Sequence, residues 1–466
     1  MKNFLLFVPL AVLSIGLGEQ VVCLADIPYG QEGEAITLSQ AIERGLVQNR
    51  DVQDQKLLLR LSEIYYQNAW DTMFLPTVSL SLGTASYTTL THIPGDTNER
   101  VKNTTDSRGY PYSYAILNLG SYSFYNFGRD RLTYDQALLT WQRAKEGLDE
   151  SIRGIKFQII VAYWTLKTSY DKVDSANRSI EIAQAMADLQ ESRFRLGKAT
   201  KADFESSSID VFAAKNLKDQ LETNSKIALF ALNTLLGDPI GTKYRIDEEI
   251  SFLPISLNED LVYETYQKNS PNMKTARSDL KKAELALTLE QRNRIPLPTF
   301  SFSGITVSYQ NHYYGNTPDL YTGYTGNVNF NVSASVGLTI PLLGPGGFLS
   351  SRTVESAEIG LDRAELKLKD LASKDRSQIF QFIQNIRQGE ITVKNNRESL
   401  VRSVNVMESV FQRYFNGAVS RLELRDAITQ ARSVEISLSE STLGHLRDKM
   451  QMAQLLGVDY LPRLDQ

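Results

Sequence analysis

The chain has almost no cysteine. Its one thiol, Cys23, lies near the N-terminus, so the rest of the chain has no sulfur for a disulfide, an iron–sulfur cluster or a nucleophile. Histidine is nearly as scarce, and His92, His312 and His445 are scattered without metal-ligand spacing. Neither sign of charge dominates: 50 basic residues stand against 54 acidic ones, a formal net charge of −4. A nucleic acid would therefore find no basic footprint. There is no glycine-rich phosphate loop or nucleophile arrangement, which leaves an enzyme built from carboxylate pairs as the only catalytic option, and nothing favours it. Proline is missing from 112–238 and again from 346–461. Because proline inside a helix costs about 3 kcal/mol, both stretches are free to form very long helices. Past residue 25 there is also no apolar run of about 18 residues, so no helix can span a bilayer. Any crossing must be made by strands.

Residues 1–25 read as a secretory signal. Lys2 supplies the positive start, 4–18 is uncharged and mostly apolar, and Cys23-Leu24-Ala25 ends in a small residue. Cleavage there makes Asp26 the first mature residue. A rival reading lipidates Cys23, although Val22 fits such a site poorly. In both cases the chain leaves the cytoplasm.

What the chain does have is an internal repeat. Arg193-Phe194-x-x-Gly197 returns as Arg413-Tyr414-x-x-Gly417, Leu236-Gly237 as Leu456-Gly457, Asn49 as Asn269, and Leu75-Pro76-Thr77 as Leu297-Pro298-Thr299. Matches in this order at nearly one spacing mark two similar halves. Within them Ile152, Ile155, Ile159, Ala162, Leu166, Tyr170 and Val173 recur by threes and fours, as do Leu400, Val404, Met407, Phe411 and Tyr414. A helix from 130 to 193 would be roughly 95 Å long. Gly197 and Gly417 suit the left-handed residue that closes a helix, so each half is expected to turn back there, with returning helices over 200–236 and 420–456. The expected order is signal 1–25, first repeat 26–238, linker 239–257, second repeat 258–457 and tail 458–466. Such helices make either a solvated coiled-coil spacer or the wall of a tube.

The strands are of a particular kind. Over 328–340, Val328, Phe330, Val332, Ala334, Val336, Leu338 and Ile340 alternate with small polar residues or glycine. That length exceeds the usual five or six residues of a soluble strand and matches a membrane strand, lipid on one face and water on the other. A partner starts at Pro298 and changes phase at Gly304, which predicts a bulge. The first half offers Val78, Leu80 and Leu82 and a tyrosine-rich second strand between 112 and 127. Polar loops over 90–110 and 310–326 separate the pairs. A soluble four-stranded sheet packed on helices is the bland alternative. Four strands cannot close a barrel, and open edges in lipid cost several kcal/mol per unpaired group, so several chains must pool their strands.

These residues resemble the TolC-like outer-membrane efflux proteins over essentially the whole mature length. The likeness rests on Leu38-Ser39-x-Ala41-Ile42 with Asn49, Leu75-Pro76-Thr77, Asn126-Phe127-Gly128-Arg129, Arg193-Phe194-x-x-Gly197, Ala231-Leu232-Asn233 with Leu236-Gly237, and their echoes, Pro341-Leu342-Leu343-Gly344 replacing the Phe-Gly turn. The resemblance implies an α+β membrane protein, a homotrimer whose twelve strands, four per protomer, form one β-barrel in the outer membrane. It also implies an α-barrel extending into the periplasm. The implied function is an exit duct for small molecules or proteins, without catalysis or cofactor, working with a periplasmic adaptor and an inner-membrane pump. Its periplasmic aperture would involve Asp203, Tyr414, Arg421, Glu423 and Asp426. Adaptor docking would fall at the hairpin tips, on Phe194, Gly197, Thr200, Gly417 and Ser420. Val419 stands where the family has an arginine, which leaves the usual latch open, with Arg421 close by. The competing class is an extracytoplasmic scaffold or adhesion protein using the coiled coil as a spacer.

Overall fold

The computed structural model describes residues 33–75, 78–87, 110–119, 122–295, 299–313, 324–337, 342, 351–416 and 418–461. The expected signal, both outer loop centres, the Pro341 turn apart from Leu342, and Gly417 lie outside them. In chain order the elements are β1 (Glu34–Ala35), α1 (Leu38–Gln48), α2 (Arg50–Phe74), β2 (Val78–Tyr87), β3 (Tyr110–Leu119), β4 (Tyr122–Tyr125), α3 (Arg129–Arg195) and α4 (Lys201–Leu236). Then come β5 (Tyr244–Arg245), α5 (Glu259–Asn269), α6 (Pro271–Arg294), β6 (Thr299–Tyr313), β7 (Tyr324–Gly337), α7 (Arg352–Phe415) and α8 (Arg421–Leu456). Two short helices, strands, a long helix and a returning helix therefore occur twice. The long helices have 67 and 64 residues, about 100 Å each at the usual rise. Among the described residues no helix is long and apolar enough to cross a membrane.

The strands form one antiparallel sheet in which β3 pairs β2 and β6, and β6 pairs β7. Directly paired residues share a face, and the register sorts them. Val78, Leu119, Ile305 and Val332 make one row; Leu80, Leu117, Val307 and Phe330 the next; Leu82, Ala115, Tyr309 and Val328 a third. The interleaved rows are Ser79, Asn118, Thr306 and Asn331, then Ser81, Ile116, Ser308 and Asn329. Through these five rows one face is apolar across the four strands, and the other is polar with Ile116 as its exception. Val78, Leu80 and Leu82 are 60%, 62% and 70% exposed, so nothing among the described residues covers that face at β2. The bulge expected at Gly304 is present as a register shift between Phe302 and Ile305.

Where four strands were expected, the sheet has five segments. The tyrosine-rich stretch contributes β3 and β4, both paired to β6, with a further register shift between Ser123 and Tyr125. The expected linker also carries structure: β5 pairs in parallel with β1, Tyr244 opposite Glu34.

The chain divides into two compact units, and the division cuts across the repeats. The first comprises Met1–Leu38, Thr165–Asn233 and Pro239–Glu249. Its core contains Leu166, Val173, Leu232 and Tyr244, all fully buried, and the Tyr170 hydroxyl donates to the Tyr244 carbonyl at 3.2 Å. The second comprises Ser39–Trp164, Thr234–Asp238 and Ile250–Gln466. There Val262 and Tyr266 of α5, Met273 of α6, Ile379, Ile383 and Ile386 of α7, and Met452 and Leu456 of α8 form one apolar cluster. Into this cluster the fold places an acid: the buried Asp375 of α7 accepts a hydrogen bond from the Tyr266 hydroxyl. Burial, then the bond to Asp375, pushes the Tyr266 phenol well above its ordinary range.

A buried acceptor that loses its donor bears its full desolvation cost, whereas removing both partners is nearly neutral. Tyr266→Phe is therefore expected to loosen α5 by about 2 kcal/mol, read as faster amide exchange over Glu259–Asn269. The double substitution with Asp375→Leu should recover most of that loss. Equal exchange in wild type and Tyr266→Phe would contradict this role.

Candidate functional site: the hairpin tips

The repeated motifs mark helix ends, and each has a physical task. At the first tip α3 closes on Gly197, whose φ is +71°. The Gly197 amide donates to the Phe194 carbonyl at 2.9 Å and the Lys198 amide to the Arg193 carbonyl at 2.8 Å, the two bonds of a Schellman stop. At the second tip the Ala418 amide makes the equivalent bond to the Arg413 carbonyl, also at 2.9 Å. A Cβ on Gly197 would meet nothing within 4 Å. The glycine is thus required by its left-handed backbone and not by crowding.

The returning helices start with reciprocal caps that the sequence reading missed. Thr200 Oγ1 accepts from the Asp203 amide at 3.2 Å, and Asp203 Oδ2 accepts from the Thr200 amide at 3.1 Å and hydroxyl at 2.7 Å. Ser420 and Glu423 repeat this: the Glu423 amide donates to Ser420 Oγ at 3.2 Å, and Glu423 Oε2 accepts from the Ser420 amide at 3.1 Å. Both are capping boxes, legible as Thr-x-x-Asp and Ser-x-x-Glu just before a helical run. Two of the three acids expected at the aperture therefore also satisfy orphan amides at a helix start, where negative charge is favoured.

The other expected residues differ from one another. Asp426 is exposed, with Oδ1 3.4 Å from its neighbour Arg425. Tyr414 is buried at 3% exposure, while its counterpart Phe194 is 40% exposed and stacks on Phe204 at 6.0 Å. Leu196 beside it is 71% exposed. Arg421 occupies the first position of α8 and is half-buried. The tips are thus similar in backbone and differ at the aromatic position, which is exposed at the first tip and buried at the second.

The far ends of the hairpins explain the remaining motifs. Asn49 caps α2, accepting from the Asp51 and Val52 amides, while its Nδ2 donates to the Leu235 carbonyl at 2.9 Å. Gly237 (φ +77°) lies so close that a Cβ would sit 2.8 Å from the Gln48 carbonyl oxygen, and Gly457 (φ +70°) crowds the Asn269 carbonyl in the same way. In the structure the cap equivalent to Asn49 is Ser270, one residue beyond the matching Asn269, with Pro271 at the first helical position. The Asn126-Phe127-Gly128-Arg129 turn has two successive left-handed residues, Phe127 (φ 57°) and Gly128 (φ 76°). It is fastened to α6 from both sides. Arg129 donates to the carbonyls of Arg292 at 2.9 Å and Ile295 at 3.1 Å, and Arg292 donates to the Phe127 carbonyl at 3.1 Å.

With that geometry in place, the comparisons can be weighed. Residues 41–238 match the model of the outer membrane efflux protein family. The resemblance holds. The fold is that of solved outer-membrane channels. The CmeC channel of Campylobacter jejuni aligns with a TM-score of 0.71 at 14% identity, over 91% of this chain and 86% of that one. VceC of Vibrio cholerae gives 0.66 at 15% identity over 90% and 96%. The open state of MtrE from Neisseria gonorrhoeae gives 0.62 at 18% identity over 91% and 89%. Among curated proteins none matches this sequence. No group of acids, histidines or cysteines among the described residues could hold a metal ion.

The tip geometry yields a direct expectation. Gly197→Leu should cost no more than Gly197→Ala, about 1 kcal/mol in either case from the positive φ alone, and Thr200→Ala about 1 kcal/mol through loss of its cap. Amide exchange over 194–204 reads both. A leucine much more disruptive than alanine would show that the tip is crowded after all.

Proposed function

We propose that the chain is an outer-membrane exit duct that works as a homotrimer, joined at its tips by a periplasmic adaptor that couples it to an inner-membrane pump. The observation that carries this reading is the sheet: apolar across one face, polar across the other, and open at both β2 and β7 among the described residues, none of whose helices is apolar enough to cross a membrane. Lipid cannot satisfy an open strand edge. Counting β3 and β4 as one broken strand, each chain brings four, and three chains closing edge to edge give twelve. The barrel lies in the outer membrane and the long helices continue the bore into the periplasm. The repeat order 26–238 and 258–457 around a linker supports this, since each repeat supplies one strand pair and one hairpin. The family match and the fold shared with efflux channels support the transport role over a coiled-coil scaffold.

In this reading the tips do two things. Asp203, Glu423 and Asp426, with Tyr414 and Arg421, set the aperture, where rings of acids favour cations. Phe194, Gly197 and Thr200 at the first tip, and Gly417 and Ser420 at the second, shape the surface that an adaptor reads. The exposed Phe194 and Leu196 provide apolar area for it.

Two measurements test the halves of this proposal. Leu80→Arg, on the apolar face, should lose outer-membrane assembly, since a midplane arginine costs about 2–4 kcal/mol there; Ser81→Arg, on the other face, should assemble. Equal tolerance of both would remove the lipid-facing assignment. For the aperture, Asp203→Asn, Glu423→Gln and Asp426→Asn together keep an oxygen for each cap while removing the charge. Cation preference in planar bilayers should fall, and an unchanged preference would dismiss these acids from the pore.

A further inference from the structure

We infer that residues 250–257, the end of the link between the repeats, form an acid-releasable strap held on the α7–α8 pair by Glu390, His445 and Lys449. The inference rests on this part of the fold and not on the transport reading. The segment has no regular secondary structure, so its backbone groups need partners elsewhere. They find them on the two long helices. The Ile255 amide donates to Glu390 Oε1 at 2.7 Å, and Lys449 Nζ donates to the Leu253 carbonyl at 3.0 Å. Arg387 reaches the Leu257 carbonyl at 3.4 Å. The Phe252 ring lies 5.2 Å from the His445 imidazole.

His445 is the unusual member of this set. It is only 4% exposed, and its Nε2 makes no hydrogen bond among the described residues. Glu390 Oε1, the same oxygen that holds Ile255, stands 3.6 Å away, beyond hydrogen-bond range. Gly389 leaves room for the ring: a Cβ there would touch the imidazole Cδ2 at 3.4 Å. The charged groups that act on the ring are Lys449 on its own helix and Glu390 on α7; the strap presents the apolar Phe252. Burial, then the Lys449 ammonium, holds the imidazole below its ordinary pKa, and Glu390 opposes this without prevailing.

The sign follows. The folded chain prefers a neutral His445, while the unfolded chain binds its proton at the ordinary value near ~6.5. This group's contribution is therefore complete above that value and is lost as the pH falls through it toward the lower folded pKa. The cost lands on the weakest contact. An imidazolium formed in place claims the carboxylate oxygen that fastens Ile255, and it needs water that Phe252 excludes. Lifting a strap held by a few side-chain bonds satisfies it, whereas parting two helices of 64 and 36 residues does not.

Hydrogen exchange read by mass spectrometry on the full-length purified protein tests this, at pH about 7.5 and about 5.5, either side of the ordinary imidazole value, with rates corrected for intrinsic exchange. In wild type, acid should speed exchange of the strap peptide containing Ile255 severalfold, while α7 and α8 stay protected. His445→Gln should remove that response. Glu390→Gln, which keeps an acceptor for Ile255 but removes the charge that favours imidazolium, should move it to lower pH. Equal strap protection at both pH values, an acid response that survives His445→Gln, or a loss spread evenly along α7 and α8 would each overturn the inference. Should His445→Gln fail to assemble, the Glu390→Gln shift decides, and its absence overturns the inference equally.

Discussion

A strand edge cannot face hydrocarbon. Each open amide or carbonyl there costs several kcal/mol, and among the described residues the sheet has two such edges, at β2 and β7, with leucine and valine on its exposed face at β2. The rest follows from that constraint. In the proposed reading the sheet is too narrow to close on itself and copies complete it. The alternation of apolar and small polar rows would give that closed form an oily outside and a wet inside, and the long, proline-free helices would carry its bore onward.

Helices about 100 Å long are positioned by joints, and the structure places these where the sequence repeats itself. Gly237 and Gly457 let the returning helices end against the breaks between the short helices, where Asn49 and Ser270 sit at the caps. At the strand-to-helix turn, two left-handed residues and a reciprocal pair of arginines bind the first repeat to the second. At the first tip a glycine stop, and at both tips a capping box, fix a short reversal with few residues. The buried Tyr266–Asp375 pair sits among apolar side chains and ties α5 to α7. Polar interactions thus fall at ends and crossings, while the apolar stripes hold the lengths between.

Much of this was legible in the residues. The first long helix and both returning helices end within two residues of their expected limits because glycine and proline punctuate them so plainly. The bulge at Gly304 showed as a change of phase. The stripe containing Ile155, Ile159, Leu166 and Val173 is buried as its spacing required. Other features were hidden because they depend on contacts remote in sequence. Nothing local announces that Arg292 will clasp Phe127, that Asp375 will meet Tyr266, or that His445 and Glu390 will sit under one strap. The capping boxes were legible and were passed over: Thr200-x-x-Asp203 and Ser420-x-x-Glu423 drew attention for their acids alone. Their geometry shows how one carboxylate can start a helix and still stand at the candidate aperture.

The central claim is that copies of this chain close one another's strand edges around a shared bore. Single-particle electron microscopy of the protein extracted from the outer membrane into nanodiscs tests it most directly. The account predicts a threefold particle with one continuous barrel in the disc, β2 of each protomer hydrogen-bonded to β7 of the next, and a hollow helical extension on one side. A monomeric particle, or one whose β2 and β7 edges are covered by something other than a second copy, would contradict it.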